Sequence, residues 1–177
     1  MHLVFAPNGY LQIDDARITY KNFTGAASKF NREGERDFTL IITDGTITDR
    51  NGRTYDATAD EIAEALMNDT NRYGAGWNVK IKPPRMEGER PFMSLKVKVR
   101  FTEWGPNCYL ISRGNKVRLE EDTVHRLDKV AIGGCNLDIR PYDDVISGRP
   151  FRSAQLQGIE VYQRIQDRFA EEEYPME

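Results

Sequence analysis

The chain has 177 residues, of which 39% are apolar, which is the size and composition of one globular domain, and its net charge is −3. It contains no run of about 18 apolar residues, and its N-terminal segment lacks the basic start and long apolar stretch of a signal peptide, so we expect a cytoplasmic protein. The two cysteines, Cys108 and Cys135, form no zinc-binding spacing with His2 and His125, which predicts reduced core cysteines and neither a metal nor another cofactor.

The N-terminal segments alternate between apolar and polar residues and are predicted to form strands. Asn8-Gly9 supplies the positive φ angles of a tight turn, so Leu3–Phe5 and Tyr10–Ile13 are expected to pair as a hairpin. Two further strands flank a polar, glycine-containing loop over residues 24–35. They are predicted at Arg17–Phe23 and Asp37–Thr43.

One helix is predicted over Ala59–Asp69. Thr58 and Glu61 have the spacing of a capping box, in which each side chain accepts a hydrogen bond from a free backbone N–H at the start of the helix. Ile62 and Leu66 then fall on one face of the helix, as expected for a helix that packs against a core.

Two segments in the middle of the chain alternate strictly and combine an apolar face with a basic face. In Trp77–Lys82 and in Ser94–Phe101 the odd-numbered positions are apolar, so the even-numbered positions point the other way. The link over residues 83–93 adds Arg85 and Arg90 and is long enough to form an arm. The outward cations of the two strands are Lys80, Lys82, Lys96, Lys98 and Arg100.

The last third of the chain is predicted to contain three strands and a second short helix. The helix is expected over Leu119–Lys129, because its first turn gathers acidic residues near the positive end of the helix dipole. The strands are predicted at Asn107–Ser112, Cys135–Tyr142 and Ala154–Tyr162, with a loop centred on Ser147-Gly148 before the last one.

Short strands, glycine-containing turns and two short helices together predict a mainly β fold. An OB-fold-like five-stranded barrel with additional hairpins fits this pattern best, and a β-sandwich is the alternative. We expect one domain over residues 1–165, followed by an acidic tail over residues 166–177.

The tail contains five acids and one base, which leaves a net charge of +1 for residues 1–165. Such a tail is either a disordered, solubilising end or a segment that competes with a polyanion and binds partner proteins. The acids predicted to bind partners are Glu171, Glu172, Glu173 and Glu177.

Cations concentrate in the middle of the chain, where residues 72–118 carry eleven Lys and Arg against three Glu. If the two basic strands are neighbours, like charges face one another, which destabilises a sheet by a few tenths of a kcal/mol or more per pair. This segregation favours a polyanion-binding site. The alternative is a solvated face whose lysines protect a strand edge.

Aromatic side chains beside cations complete a predicted surface for single-stranded nucleic acid, because bases stack on rings while cations neutralise phosphates. Trp104, in a turn just after the second basic strand, is the first candidate. For each ring the alternative is ordinary packing in the core, which is where Trp77 is placed by the alternation. The remaining candidates are Phe30 with Arg32, Tyr73, Tyr142 with Arg140, and Phe151 between Arg149 and Arg152.

The sequence contains no phosphate-binding loop, dinucleotide fingerprint, nucleophile elbow or catalytic triad, so no catalytic residue is predicted. Three acidic pairs could in principle hold Mg²⁺ for a nuclease, although such pairs are common in turns. They are Asp14-Asp15, Asp60-Glu61 and Asp143-Asp144.

The chain resembles bacteriophage-encoded single-stranded-DNA-binding proteins over about residues 18–161. The resemblance is carried by Lys29–Phe38, Gly76–Lys80, Tyr109–Gly114, Leu137–Tyr142 with Gly148, and Leu156–Val161. It implies an OB fold, coating of single-stranded DNA during phage replication or recombination in the host cytoplasm, and an acidic tail for replication or recombination proteins. A phage structural or host-interaction module is the second hypothesis and a metal-dependent nuclease the third.

Overall fold

The computed structural model describes residues 1–164, and within them twelve strands, one α-helix and one 3-10 helix are present. The predicted tail, with Glu171, Glu172, Glu173 and Glu177, lies outside the described residues. In chain order the elements are β1 (His2–Phe5), β2 (Leu11–Asp14), β3 (Arg17–Asn22), β4 (Arg36–Ile41), β5 (Gly45–Thr48), β6 (Thr54–Ala57), α1 (Ala59–Asn68), β7 (Val79–Lys82), β8 (Phe92–Val99), β9 (Asn107–Ser112), β10 (Asn115–Leu119), the 3-10 helix (Val124–Asp128), β11 (Ile132–Ile146) and β12 (Arg149–Gln163).

Five segments of the sheet return on themselves as a barrel. Only Asp15 and Ala16 separate β2 from β3, and the Ala16 N–H donates to the Cys135 carbonyl at 2.7 Å, so β2 and β3 form one bent strand. From this strand the pairing runs through β4, β8, β12 and β11 and back to β2, and β8 and β12 are parallel. The OB-fold-like barrel is therefore confirmed, and the β-sandwich alternative is wrong.

The additional strands extend this barrel at its margins. The predicted N-terminal hairpin is present as β1 and β2, and β5 and β6 continue the sheet beyond it. On the other side β9 pairs with β12 and β10 pairs with β9, while β7 pairs with β8. The last two barrel strands are longer than predicted, because β11 and β12 continue to pair with each other as far as the turn at Ser147-Gly148.

The barrel encloses the hydrophobic core, and its end is closed by the 3-10 helix. Val124 and Leu127 of that helix are fully buried, and the Lys21 ammonium donates to the carbonyls of Leu127 at 2.8 Å and Val130 at 3.1 Å. The predicted helix over Leu119–Lys129 was therefore too long. Leu119 pairs with Cys108 as the end of β10, so the chain is still extended there, and the helix that follows is a 3-10 helix of five residues, Val124–Asp128.

Helix α1 is confirmed, with Thr58 and Glu61 forming the capping box and Ile62 and Leu66 buried. Trp77 is buried as predicted, and its backbone N–H donates to the carbonyl of Leu66. Both cysteines are buried and free, and burial raises the pKa of each thiol to about 12. No helix within residues 1–164 has the length and apolar character needed to cross a membrane.

Candidate nucleic-acid interface

The cations of the two basic strands lie on one face of the sheet. Strand β8 buries Leu95, Val97 and Val99, and the alternate positions Lys96 and Lys98 face outward, as predicted. In β7, Lys80 pairs with Ser94 and Lys82 pairs with Phe92, which lie on the same side of β8 as Lys96 and Lys98. We call the resulting row the basic track; its members are Lys80, Lys82, Lys96, Lys98 and Arg100.

The pairing of β7 with β8 differs from the prediction in one respect. Because β8 begins at Phe92, the lysines of β7 lie opposite Ser94 and Phe92 rather than opposite Lys96 and Lys98. The expected like-charge pairs across the two strands are therefore wrong. The lysines follow one another along the face, and from Phe92 to Arg100 the row is about 26 Å long at about 3.3 Å per residue.

Strand β7 also departs from the predicted apolar face, because Ile81 is 50% exposed. It pairs with Met93 at the margin of the sheet, away from the segment where β8 pairs with β12. Met93 itself is buried in the core, so at this pair only the β8 residue is covered and the alternation in β7 no longer separates core from solvent.

Among the acids of residues 1–164, Asp37 alone forms an ion pair with the basic track. Asp37 of β4 pairs in register with Lys98, and its carboxylate lies 3.4 Å from the Lys96 ammonium. Within residues 1–164, Lys80, Lys82, Lys98 and Arg100 form no ion pair. The face therefore keeps most of its positive charge, as an anion-binding surface requires.

A groove of about 380 Å³ runs beside the end of the track, between Gly34–Asp37 and Lys96–Thr102. Its wall contains Arg36, whose guanidinium lies 5.5 Å from the centre of the Phe101 ring and 3.3 Å from the Glu121 carboxylate. Sequence reasoning missed Arg36, because the partners that orient it lie 65 and 85 positions further along the chain.

Phe30 precedes the first segment that lines this groove, and Trp104 follows the second. They are the most exposed of the predicted aromatic residues, at 82% and 80%. The loop that carries Phe30 is braced by Asn31, whose amide donates to the carbonyls of Ala26 and Glu35. The turn that carries Trp104 is held by Gln157, whose amide donates to the Trp104 carbonyl at 3.1 Å. Both rings are therefore presented to solvent by ordered backbone.

The β11–β12 hairpin continues the same face. Gln155 pairs with Lys98 on one side and with Arg140 on the other, so these three residues share a face of neighbouring strands. Tyr142 lies two positions beyond Arg140, is half exposed, and packs against Phe151 with ring centres 6.2 Å apart. Arg140, Tyr142 and Phe151 therefore lie on the same side of the sheet as the basic track, and the side chain between them, Gln155, is buried.

The loop before β7 is fastened to this hairpin. The Asn71 side chain donates to the Asp143 carboxylate and to the Phe151 carbonyl, both at 3.1 Å. Tyr73 lies two residues further on, partly exposed, with the Arg72 guanidinium 4.8 Å above its ring. Tyr73 is thus brought beside the hairpin, although it is distant from Tyr142 in sequence.

Arg152 does not belong to this surface, contrary to the prediction. It is 8% exposed and binds the Asp143 carboxylate through two nitrogens, at 2.8 and 3.1 Å. A third nitrogen donates to the Asp69 carbonyl at 2.8 Å, and the guanidinium lies 5.2 Å from the Trp77 ring. Its role is to hold the hairpin against the loop that follows α1.

Electrostatics keep both carboxylates of this network ionised. Burial opposes ionisation of Asp69, but hydrogen bonds from Arg50 and Trp77 and the charges of Arg50 and Arg152 hold its pKa below the ordinary value. Asp143 shows the same balance: burial raises its pKa, but hydrogen bonds from Arg152 and Asn71, together with the charges of Arg152 and Arg72, hold the pKa below its ordinary value.

The remaining predicted residues lie on exposed loops. Arg32 and Arg149 are exposed near the tips of the Phe30 loop and the β11–β12 hairpin. Arg85 is exposed in the arm between β7 and β8, whereas Arg90 in the same arm forms an ion pair with Asp44 at 2.9 Å.

Two of the three acidic pairs considered for a nuclease contain a carboxylate with another partner. Asp143 binds Arg152, and Glu61 caps α1. Among residues 1–164, no group of three or more His, Cys, Asp or Glu side chains is arranged to hold a metal ion.

The chain matches a family model and is similar to several solved structures. A family model described as a putative phage ssDNA-binding domain matches residues 2–175. No curated protein matches the sequence. A C-terminal truncation of the single-stranded DNA-binding protein from bacteriophage Enc34 is similar with a TM-score of 0.53 and 12% identity, covering 90% of this chain and 89% of that chain.

Two further structures of the bacteriophage Enc34 protein are also similar. Its complex with ssDNA has a TM-score of 0.53 and 13% identity, covering 92% of this chain and 90% of that chain. Another structure of the Enc34 single-stranded DNA-binding protein has a TM-score of 0.50 and 14% identity, covering 92% of this chain and 85% of that chain. At these identities the likeness shows a shared fold.

Proposed function

This chain belongs to the family of putative phage ssDNA-binding domains, and we propose that it coats single-stranded DNA during phage DNA replication or recombination. The observation that carries the proposal is the continuous face formed by the basic track and the outer side of the β11–β12 hairpin. In OB folds the outer face of the second and third barrel strands and the loops beside it bind oligonucleotides. Here β4 and β8 take those positions, and the Phe30 loop and the β11–β12 hairpin are the adjoining loops.

The two kinds of side chain on this face have different tasks. Lys80, Lys82, Lys98 and Arg100 form no ion pair with any other residue of 1–164, so their charges can neutralise phosphates. Phe30 and Trp104 present open rings on which bases stack, a contact worth about 1–3 kcal/mol per base and available only when the strand is single. Binding is therefore expected to prefer single strands over duplex and to show little sequence preference.

The wider role of the protein is part of the same proposal. We expect it to act in the cytoplasm of the host cell, to perform no catalysis, and to contact replication or recombination proteins through the acids of residues 166–177. A structural or host-interaction module, whose basic face meets an acidic protein, is the second candidate, because the same charge segregation would suit it.

The decisive experiment replaces Lys96, Lys98 and Arg100 together by alanine and measures binding to poly-dT over a range of salt concentrations. The inward residues of β8 stay in place, so the fold should survive. If all three cations meet phosphates, the slope of log affinity against log salt should shrink by about two units, at about 0.7 per contact. Trp104→Ala should instead weaken binding with little change of slope, because stacking releases no counterions.

A matched control removes the same charge elsewhere, with Arg53, Arg126 and Lys129 replaced by alanine; all three are exposed and lie off this face. Its salt slope should remain that of the parent protein. A track variant that binds like the control would refute the proposed face. Failure of the parent protein to bind poly-dT, with capture of an acidic protein instead, would favour the second candidate, and Mg²⁺-dependent cleavage of the oligonucleotide would show a nuclease.

A further inference from the structure

Tyr20 has a backbone conformation that tyrosine rarely adopts. Its φ is +49 degrees, in the left-handed region, and its ring is 71% exposed although it lies within β3. The pairing of β3 with β4 is irregular at this point, between Thr19 and Asn22. A bulge of this kind turns one side chain out of the regular alternation.

The bulge has a structural purpose, but that purpose does not require an aromatic ring. It brings the neighbouring Lys21 inward, where its ammonium donates to the carbonyls of Leu127 and Val130 and closes the end of the barrel. Glycine or asparagine would adopt the same backbone conformation at lower cost. The ring of Tyr20 therefore needs an explanation outside the fold.

The ring borders a groove of about 320 Å³ between β3 and the base of the arm. Phe92 and Pro83-Pro84 supply apolar walls, and Lys82 and Arg85 supply cations. Arg90 also lines the groove, but its guanidinium is bound to Asp44, and Glu89 is the acid on the rim. Within the described residues Lys82 and Arg85 form no ion pair.

We propose that this groove is a nucleobase subsite in which one base stacks on Tyr20 while Lys82 and Arg85 bind the adjoining phosphates. Lys82 is also a member of the basic track, so the subsite continues the path of the strand past β7, at the end opposite Trp104. An exposed ring beside unpaired cations is the combination that binds single strands without reading their sequence. The inference rests on the proposed function and adds to it a contact that lies outside the β4–β8 face.

Tyr20→Gly separates the ring from the fold, because glycine accepts the positive φ that tyrosine resists. The variant should unfold at the same urea concentration as the parent protein, or at a higher one. Its affinity for poly-dT should fall by about tenfold or more with an unchanged salt slope, as expected for loss of one stacked base. Tyr20→Phe keeps the ring and should bind like the parent. Tyr55→Ala, which removes a half-exposed ring from the distant strand β6, is the control and should also bind like the parent.

A second measurement does not depend on stability. Ultraviolet crosslinking of the parent protein to an oligonucleotide containing 5-iododeoxyuridine should give an adduct on the peptide that contains Tyr20. Absence of that adduct, or parental affinity of Tyr20→Gly, would overturn the subsite. If the triple variant of the basic track is nevertheless impaired, the proposed function stands without the subsite; if the parent protein binds no single-stranded DNA, both fail.

Discussion

Replacing Arg152 by methionine should lower the free energy of unfolding by about 3 kcal/mol, because it strands two carboxylates in a partly buried network. Removal of one partner from a buried ion pair generally costs about 3–5 kcal/mol. The lower end applies here, since Asp69 keeps hydrogen bonds from Arg50 and from the Trp77 indole, at 2.6 and 2.8 Å. Among residues 1–164, Asp143 keeps the hydrogen bond from the amide of Asn71 as its remaining side-chain contact.

Urea denaturation at neutral pH, followed by tryptophan fluorescence, measures this loss. With a denaturant slope of about 2 kcal/mol per molar, the midpoint should fall by about 1.5 M. Arg50→Met is the matched control, because Arg50 binds the same Asp69 carboxylate but its side chain is 41% exposed. The Arg50 end of this pair is screened by solvent, and its removal leaves Asp69 with Arg152 and the Trp77 indole, so the midpoint of the control should move less than that of Arg152→Met.

The difference in the free energy of unfolding between the parent protein and Arg152→Met should depend on pH. The pKa values of Asp69 and Asp143 are lowered in the folded protein, so their ionisation stabilises the fold above the unfolded pKa of about 3.9, and this stabilisation is lost as the pH falls through the lower folded values. The difference between the parent and Arg152→Met should therefore narrow below about pH 4. Two results would refute the role assigned to Arg152. One is an equal loss of unfolding free energy in Arg152→Met and Arg50→Met, and the other is a difference between the parent protein and Arg152→Met that does not become smaller below about pH 4.

Two further outcomes are expected. Deleting residues 166–177, which carry five acids and one base, should raise the affinity and the association rate for poly-dT, most clearly at low salt. If the truncated and full-length proteins have equal affinities at low salt, the tail does not compete for the basic face. Cys108 and Cys135 are buried, and the pKa of each thiol is about 12. A thiol reagent at pH 8 should therefore label neither cysteine in the native protein and both cysteines in urea. Rapid labelling of the native protein would contradict this burial.

Sequence reasoning succeeded where a local period determines the structure. The alternation of Leu95, Val97 and Val99 with lysines predicted which side of β8 is buried, because successive side chains of a strand point to opposite faces. The capping residues Thr58 and Glu61 likewise predicted the start of α1. Exposure of Phe30 and Trp104 agrees with their proposed role, while their contact with DNA stays a prediction.

It failed where partners come from distant parts of the chain. The neighbours of Arg152 in sequence are basic and aromatic, which predicts an exposed side chain. Its guanidinium is instead buried, because it donates to the carbonyl of Asp69, 83 positions earlier in the chain. Tyr20 was not predicted as a site residue, because the pattern of Arg17–Phe23 is that of a regular strand. The bulge at Tyr20 accompanies the hydrogen bond from Lys21 to the Leu127 carbonyl of the 3-10 helix. The sequence pattern contains no signal for either contact.

Closure of the barrel sets an order of events during synthesis. The pairs that join β2 to β11 link Ile13 with Leu137 and Leu11 with Ile139, so the first barrel strand leaves the ribosome more than 120 residues before its partner. Until then the N-terminal hairpin has one unpaired edge, and contacts between such distant segments form slowly because a long loop must be closed first. The face that we assign to DNA includes Arg140 and Tyr142, so it is completed only with the last strands. A ribosome-bound chain that ends before β11 should therefore have no assembled binding face, however many of its lysines have already been made.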